Sequence, residues 1–184
     1  MLLLRHGQSY FNLHFSASRR DPGIEDPELT ALGQAQARQA AEDLADMKLT
    51  RLIVSPYTRA LQTAEPFLDR PGLKVEILPQ VRERTAFVCD IGSPPAVLAA
   101  RFPQHEFSHL PLCWWGEGKE TEAQTIQRAR DFQAMMQQRA DAQTTLLISH
   151  WGFLLALTGR SVANGAWVSY NAHEAAPEEI IWRP

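Results

Sequence analysis

Met1-Leu2-Leu3-Leu4-Arg5-His6-Gly7 begins the chain with a short apolar run that stops at two basic residues and a glycine. We interpret Met1 to Leu4 as the first strand, because continuous apolar runs of this length are typical of strands buried on both faces of a parallel sheet. Two further runs have the same character, Leu52-Ile53-Val54 and Thr144 to Ser149. Together the three runs predict a buried, mostly parallel sheet.

Helical patterns separate these strands. Thr30 is a candidate N-cap for a helix with an apolar stripe from Ala37 to Leu44 that should end near Met47. Thr121 and Gln124 have capping-box spacing ahead of a long helix whose inward face includes Ala129, Phe132 and Met136. Three shorter helices are expected. One carries Leu61, Ala64 and Leu68, and one runs from after Gly152 to Gly159. The third has Ser93 as its cap, Pro94 in its first turn, and Val97, Leu98 and Phe102 on its apolar side.

The remaining segments complete the expected architecture. Lys74 to Leu78 alternates as a half-buried or edge strand, and the tail offers strand candidates at Ala166 to Tyr170 and Glu179 to Trp182. We predict that two segments are irregular, a surface loop from Gln8 to Glu28 and the stretch from Pro103 to Glu120. Strands alternating with helices predict a single α/β domain over residues 1–184, a three-layer sandwich whose mostly parallel sheet has helices on both faces.

Composition excludes several classes of protein. The 184 residues include 18 basic and 21 acidic ones, a formal charge of −3, and no Lys/Arg-rich run, so we expect no nucleic-acid partner. The two cysteines, Cys89 and Cys113, are too few for a disulfide framework and favour a reducing, cytoplasmic setting. The amino terminus shows neither a basic leader nor a membrane span, so no membrane partner is expected. Oligomeric state is left open.

Basic residues follow each buried strand. Arg5 and His6 end the first, Arg59 lies shortly after the second, and His150 ends the third. Ligands bind outside the carboxyl ends of the strands in such sheets, so these side chains should converge at one edge. Arginines match phosphate oxygens with forked donors, and a neutral imidazole can attack phosphorus. The pattern predicts phosphoryl transfer, whereas each histidine alone would be an ordinary core residue.

Four segments in order then resemble the histidine phosphatase superfamily, also called the phosphoglycerate mutase-like family. They are Leu4-Arg5-His6-Gly7-Gln8-Ser9 with Asn12, Leu29-Thr30-Ala31-Leu32-Gly33 with Gln36-Ala37, Ser55-Pro56-Tyr57-Thr58-Arg59-Ala60 with Gln62-Thr63-Ala64, and Ser149-His150-Trp151-Gly152. One Arg-His-Gly triplet would be weak evidence of membership, but four ordered matches at strand ends and helix starts are strong evidence. The resemblance implies a phosphohistidine intermediate on His6, with Arg5, Arg59 and His150 around the phosphate.

The resemblance also implies an acidic proton donor after the strand near residue eighty. Glu83 occupies that place and is expected to protonate the leaving group and then to activate water, which requires a raised pKa. Asp90 is the alternative donor. Because Arg82 and Arg84 flank Glu83, a plain surface ion pair is the competing interpretation.

Several neighbours have less defined roles. Gln8 and Asn12 are expected to bind the phosphate or to order the loop, Ser9 to cap the following turn, and Gly152 to let the backbone approach the phosphate closely. Trp151 stands where the family often has a small residue, and it either narrows the pocket or packs outward. Arg19 and Arg20 either bind a second anionic group of the substrate or are simply solvated. Trp114 and Trp115 either form an apolar wall over the pocket or pack as ordinary core residues.

We therefore predict a metal-independent phosphomonoesterase of the histidine acid phosphatase type, with no cofactor and no metal site. Its substrate is expected to be a small phosphorylated metabolite or a phosphoprotein. Two alternatives are kept: a phosphoglycerate mutase-type phosphotransferase, which would need an additional segment over the site, and a catalytically weak module that binds phosphate or phosphoproteins.

Overall fold

The computed structural model describes residues 1–182, which form a five-stranded sheet between two layers of helices. The strands are β1 (Leu2–Arg5), β2 (Arg51–Val54), β3 (Lys74–Ile77), β4 (Thr145–Ser149) and β5 (Trp167–Ser169). Their order in the sheet is β3-β2-β4-β1-β5. The first four strands pair in parallel, and β5 is antiparallel to β1. This confirms the mostly parallel sheet with an antiparallel addition from the tail.

Six α-helices lie in this range, and five of them match the helical patterns of the sequence. They are α1 (Tyr10–Ser18), α2 (Ala31–Asp43), α3 (Thr58–Ala64), α4 (Pro95–Arg101), α5 (Glu122–Gln137) and α6 (Trp151–Thr158). Thr30 caps α2 by accepting a hydrogen bond from the Gly33 amide, and Thr121 and Gln124 form the capping box of α5. Gly159 ends α6 in the left-handed region, at φ +70°.

Alternation along the strands creates two apolar cores, one on each face of the sheet. Leu2 and Leu4 of β1 belong to the core that includes residues of α2, α3 and α4. Leu3 belongs to the other core, with residues of α5 and α6. Successive side chains of a strand point to opposite faces, so both faces of β1 are covered. The three-layer α/β sandwich is confirmed.

The segment from Gln8 to Glu28 is not wholly a loop, because α1 occupies its first half. Ser9 and Asn12 form a capping box: the Ser9 side chain accepts from the Asn12 amide, and Asn12 accepts from the Ser9 amide. No residue of α1 is fully buried. A helix without a buried face lacks the apolar period on which the sequence prediction depended. The expectation that Ser9 caps the following turn is confirmed.

Three local expectations were wrong. Residues 179–182 form no strand, and Trp182 instead packs its ring 6.2 Å from that of Trp151. Pro94, not Ser93, occupies the N-cap position of α4, with no side-chain hydrogen bond to the helix. The second helix ends at Asp43 rather than near Met47, because the backbone at Leu44 leaves the helical region while its side chain remains buried.

No helix within residues 1–182 is long and apolar enough to cross a membrane.

Candidate active site

The carboxyl ends of β1 and β4 meet α1 and the segment after β3 around a cavity of about 210 Å³. Charged groups predicted from the sequence lie along its wall beside aromatic side chains that were not predicted. The lining residues are Arg5, His6, Ser9, Phe11, Asn12, Phe15, Arg59, Glu83, Arg84, Ala86, Phe87, Cys89, Asp90, Trp151, Gly152 and Ser161.

His6 follows β1 directly, and its ring is held in one orientation. Its Nδ1 lies 2.7 Å from the carbonyl oxygen of Gly7. A carbonyl oxygen only accepts hydrogen bonds, so Nδ1 of the neutral ring carries the proton and Nε2 keeps a lone pair. Burial, reinforced by the charges of Arg59 and Arg5, holds the pKa of His6 well below its ordinary 6.5. At neutral pH the ring is therefore uncharged, and its Nε2 has the lone pair that a nucleophile requires.

Gly7 is required because two backbone segments cross there. A Cβ on Gly7 would lie 2.3 Å from the carbonyl oxygen of Gly33 in α2, and a Cβ on Gly33 would lie 2.0 Å from the carbonyl oxygen of Gln8. The Gly7 amide also donates to the Thr63 hydroxyl, at 3.1 Å. These contacts position the turn that carries His6.

Arg59 lies in the first turn of α3, almost completely buried, with its guanidinium 4.2 Å from the centre of the Tyr57 ring. Nη1 donates to the carbonyl oxygen of Cys89 at 2.9 Å, and Nη2 pairs with Asp90 at 3.3 Å. A cation near a helix N-terminus is unfavourable unless an anion is shared there, and Asp90 supplies one already. The position of Arg59 is thus explained without a bound ligand, while its side chain still lines the cavity.

Arg5 extends from the end of β1 into the same cavity. Nη1 donates to the carbonyl oxygen of Val162 at 2.9 Å, whereas the buried Nε has no hydrogen-bond partner among residues 1–182. Burial lowers the pKa of the Arg5 guanidinium to about 10, so the group is still charged at neutral pH. Arg5 therefore adds a second positive charge next to His6.

His150 is buried beside His6 rather than on the cavity wall. The two ring centres are 5.0 Å apart, and His150 Nε2 lies 2.7 Å from the Ser55 hydroxyl. Nδ1 is buried without a partner within the described part of the chain. An unpaired buried nitrogen costs free energy, and an oxygen ligand could satisfy it. Burial, with the charge of Arg59 next in weight, holds the pKa of His150 well below 6.5.

Glu83 contacts the start of α6. Its Oε1 accepts from the amides of Arg84 at 2.8 Å and Gly152 at 2.9 Å. Burial and the neighbouring charge of Asp90 raise the pKa of Glu83, although the backbone hydrogen bonds act in the opposite direction. The side chain pairs with neither of its flanking arginines, so the surface ion pair considered from the sequence is absent among the described residues. Its raised pKa suits proton transfer.

Asp90, the alternative donor, is committed to other contacts. Oδ1 pairs with Arg59, while Oδ2 accepts from the amides of Ala86 and Phe87, each at 3.0 Å. Both carboxylate oxygens of Asp90 are therefore already occupied by contacts within the protein. This environment favours Glu83 over Asp90 as the proton donor.

The structure places the secondary candidates differently. Asn12 lines the cavity, whereas the Gln8 side chain accepts from the Thr30 hydroxyl at 2.8 Å and is not part of the wall. Gly152 lies against Glu83: a Cβ there would be 2.4 Å from Glu83 Oε1, so the glycine makes room for the carboxylate. Arg19 and Arg20 are exposed and do not line the cavity.

The tryptophans separate into two groups. Trp151 lines the cavity, and its indole nitrogen donates to the Ser161 hydroxyl at 2.9 Å. Trp114 is buried against Tyr57 and donates to the Ser93 carbonyl, and neither Trp114 nor Trp115 is on the cavity wall. Trp151 is thus part of the pocket wall, while Trp114 packs in the core.

Sequence reasoning missed several residues at the site, and four of them shape it most. Phe11, Phe15 and Phe87 line the cavity. The side-chain amide of Asn164 donates to the carbonyl oxygen of His6 at 3.1 Å and to the side-chain oxygen of Asn12 at 3.2 Å. The only available signal was the four-residue spacing of Phe11 and Phe15, which is that of one helix face. No cluster of three or more metal-ligating side chains occurs in residues 1–182.

Comparison with known proteins adds a family and several relatives. The model of the histidine phosphatase superfamily (branch 1) matches residues 1–172. A glucosyl-3-phosphoglycerate phosphatase of Mycolicibacterium vanbaalenii is 28% identical over 217 aligned positions, which cover 100% of this chain and 91% of the relative. A 2,3-bisphosphoglycerate-dependent phosphoglycerate mutase of Caulobacter vibrioides is 44% identical over 71 positions, covering 38% of this chain and 28% of the mutase.

Solved structures show the same fold. A mycobacterial glucosyl-3-phosphoglycerate phosphatase, solved as a complex with VO3, superposes with a TM-score of 0.63 at 24% identity. The match covers 91% of this chain and 88% of that one. At this identity the likeness concerns the fold alone, and it agrees with the sandwich described above.

Proposed function

Because the chain belongs to the histidine phosphatase superfamily, we propose that it hydrolyses phosphate monoesters without a metal ion, through a phosphohistidine on His6. The observation that carries the proposal is the state of the His6 ring. The ring is neutral, its Nδ1 is tied to the Gly7 carbonyl, and its Nε2 lone pair belongs to a side chain that lines the cavity with Arg5 and Glu83.

In the first step His6 Nε2 attacks phosphorus, and the bond from phosphorus to the ester oxygen breaks. The departing alcohol oxygen takes its proton from the Glu83 carboxyl, whose raised pKa keeps a share of it protonated. The products are the free alcohol, a Glu83 carboxylate and phosphohistidine. Arg5 and Arg59 stabilise the charge on the non-bridging oxygens of the transferring group.

In the second step water attacks the phosphohistidine. Glu83, now a carboxylate, removes a proton from that water, and the oxygen of the water bonds to phosphorus. The bond between phosphorus and Nε2 breaks, its electron pair returns to the ring, and inorganic phosphate leaves. Both His6 and Glu83 regain their starting states, so the overall reaction consumes one ester and one water.

We assign His150 to the phosphate through its unpaired Nδ1. If the Ser55 hydroxyl donates to Nε2, the proton of the neutral ring is on Nδ1, where a phosphate oxygen can accept it. Asn12, which lines the same cavity as Arg5, is assigned to the same phosphate. The names of relatives, a glucosyl-3-phosphoglycerate phosphatase among them, support a small phosphorylated metabolite as substrate.

A mutase is the second candidate, because one relative with a strong local match is a phosphoglycerate mutase. A mutase would pass the phosphoryl group to a second substrate hydroxyl instead of to water. Incubation with 3-phosphoglycerate distinguishes the two: hydrolysis releases inorganic phosphate, whereas a mutase forms 2-phosphoglycerate without net release of phosphate.

The direct test is the variant His6→Ala, assayed with p-nitrophenyl phosphate in the presence of a chelator. We expect the wild-type chain to turn over without added metal and His6→Ala to lose about 10³-fold or more in kcat/KM, since no nucleophile replaces the ring. His14→Ala is the matched control, because His14 is exposed and does not line the cavity. Undiminished turnover by His6→Ala, or a strict requirement for metal, would disprove the mechanism.

A further inference from the structure

Three aromatic side chains form a cluster on the cavity wall. Phe11 and Phe15 of α1 stack at 5.1 Å, and the Phe87 ring lies 5.3 Å from Phe11 and 5.2 Å from Phe15. All three line the cavity, and Phe87 remains 41% exposed. We call these residues the phenylalanine wall. Exposed contiguous aromatic surface beside a polar site is typical of a surface that binds a ligand.

The phenylalanine wall is attached to the phosphate-binding groups through one carboxylate. Asp90 accepts from the Phe87 amide with Oδ2 and pairs with Arg59 through Oδ1. The position of the Phe87 backbone is therefore coupled to the position of the guanidinium. A substrate whose phosphate contacts Arg59 therefore lies in the same cavity as this wall.

Positive charge beyond the phosphate site is scarce. Apart from Arg5 and Arg59, Arg84 is the cation on the cavity wall, and its guanidinium pairs with Glu122 at 3.2 Å and stacks on the Trp182 ring at 4.9 Å. Beyond Arg5 and Arg59, a second anionic group on the substrate would find on this wall only a cation that is already paired. Such a group would lose hydration without full compensation.

We propose that the leaving group bound by the phenylalanine wall is aromatic, so that the substrates of this site are phosphate monoesters of alcohols that carry an aromatic ring and no second anion. An aromatic ring fits this wall because offset and edge-to-face contacts with Phe11, Phe15 and Phe87 add to the burial of apolar surface. The proposal rests on the proposed phosphatase function and narrows it to a substrate class.

The test compares substrates whose alcohols leave equally well. 2-Phenylethyl phosphate and ethyl phosphate both release a primary alkyl alcohol, so a difference in kcat/KM reports binding of the ring rather than the ease of bond breaking. We expect a ratio of at least tenfold in favour of 2-phenylethyl phosphate, which corresponds to about 1.4 kcal/mol. 3-Phosphoglycerate, which adds a carboxylate, is expected to react no faster than ethyl phosphate.

Two variants assign the preference to the wall. Phe87→Ala is expected to lower the ratio at least fivefold, whereas Tyr10→Ala, an exposed aromatic residue of α1 that does not line the cavity, should leave it unchanged. Because each ratio compares two substrates on one preparation, any loss of folded enzyme cancels.

The outcomes separate this proposal from the function on which it rests. A ratio near one, faster reaction of 3-phosphoglycerate, or an unchanged ratio in Phe87→Ala overturns the substrate class while His6-dependent hydrolysis still stands. If none of the three esters is hydrolysed, both proposals fail.

Discussion

At the scale of single residues, the site depends on two side chains whose pKa values move in opposite directions. Burial lowers the pKa of His6 from 6.5, and burial together with Asp90 raises the pKa of Glu83 from 4.5. The folded structure thus favours the neutral form of His6 and the protonated form of Glu83. A nucleophile and a proton donor are needed together in the first step, so the proposed mechanism has its own pH dependence.

We expect kcat/KM to rise as His6 loses its proton, well below pH 6.5, and to fall as Glu83 loses its proton above pH 4.5. Glu83→Gln removes the fall of kcat/KM with rising pH that is due to this carboxyl. The same variant lowers kcat/KM for ethyl phosphate by about 10²- to 10⁴-fold. The loss should be much smaller for p-nitrophenyl phosphate, whose leaving group needs no proton. Phosphate esters themselves ionise near pH 6. Any change of kcat/KM with pH that persists in Glu83→Gln in this range therefore identifies the contribution of the substrate.

An equal loss with both esters would contradict the role of Glu83 as the acid. The same conclusion would follow if the pH profile of Glu83→Gln superposed on that of the wild-type chain. Asp90→Asn is a poor discriminator, since it also releases Arg59.

At the scale of elements, the sequence predicted those whose signal is local or strongly apolar. The buried strands β1, β2 and β4 and the capped helices α2 and α5 were predicted because caps and continuous apolar runs act at short range. The helix α1 was missed because its sequence has no buried face. Its aromatic residues pack against Phe87, more than seventy positions away, and that contact exists only after the chain folds.

The crossing of the His6 turn over α2 gives a test in which two effects oppose each other. Replacing a glycine within a helix by alanine usually stabilises by about 1 kcal/mol, yet the Cβ of Gly33→Ala would lie 2.0 Å from the Gln8 carbonyl oxygen. We expect the clash to dominate and the free energy of unfolding to fall by about 1–3 kcal/mol, measured by urea denaturation.

Gln34→Ala, one position further on the exposed side of α2, serves as the control and should change stability by less than about 0.5 kcal/mol. If Gly33→Ala were more stable than the wild-type chain, the close approach of these two backbones would be disproved.

At the scale of the whole molecule, a formal charge of −3 conceals a buried cluster of basic groups. The sequence predicted that Arg5, His6, Arg59 and His150 converge, because parallel strands end at one edge. It could not predict that Gln8 turns towards Thr30 or that Gly152 accommodates Glu83. Such details depend on side-chain packing between distant segments, as does the phenylalanine wall.

The buried histidines make global stability depend on pH. Folding holds the pKa values of His6 and His150 well below 6.5, so below that pH the unfolded chain binds protons that the folded chain does not. The free energy of unfolding should therefore decrease as pH falls from 7 to 5, by up to about 1.4 kcal/mol per pH unit for each such histidine. The raised pKa of Glu83 acts in the opposite direction at the acidic end.

Urea denaturation at several pH values tests this. The double variant His6→Ala/His150→Ala should flatten the dependence between pH 7 and 5, while His14→Ala/His173→Ala, which removes two exposed histidines, should keep it. An equal slope in the two double variants would mean that His6 and His150 are not held neutral by folding.

The central claim, a phosphohistidine on His6, is tested most directly by trapping it in Glu83→Gln with p-nitrophenyl phosphate labelled on phosphorus. The first step proceeds without an acid because this leaving group needs no proton, whereas the second step lacks its base, so the intermediate should accumulate. We predict a burst of p-nitrophenolate close to one equivalent per chain, and an acid-labile, alkali-stable label on the peptide that contains His6. The absence of both burst and label, or a label that persists in His6→Ala/Glu83→Gln, would contradict the account.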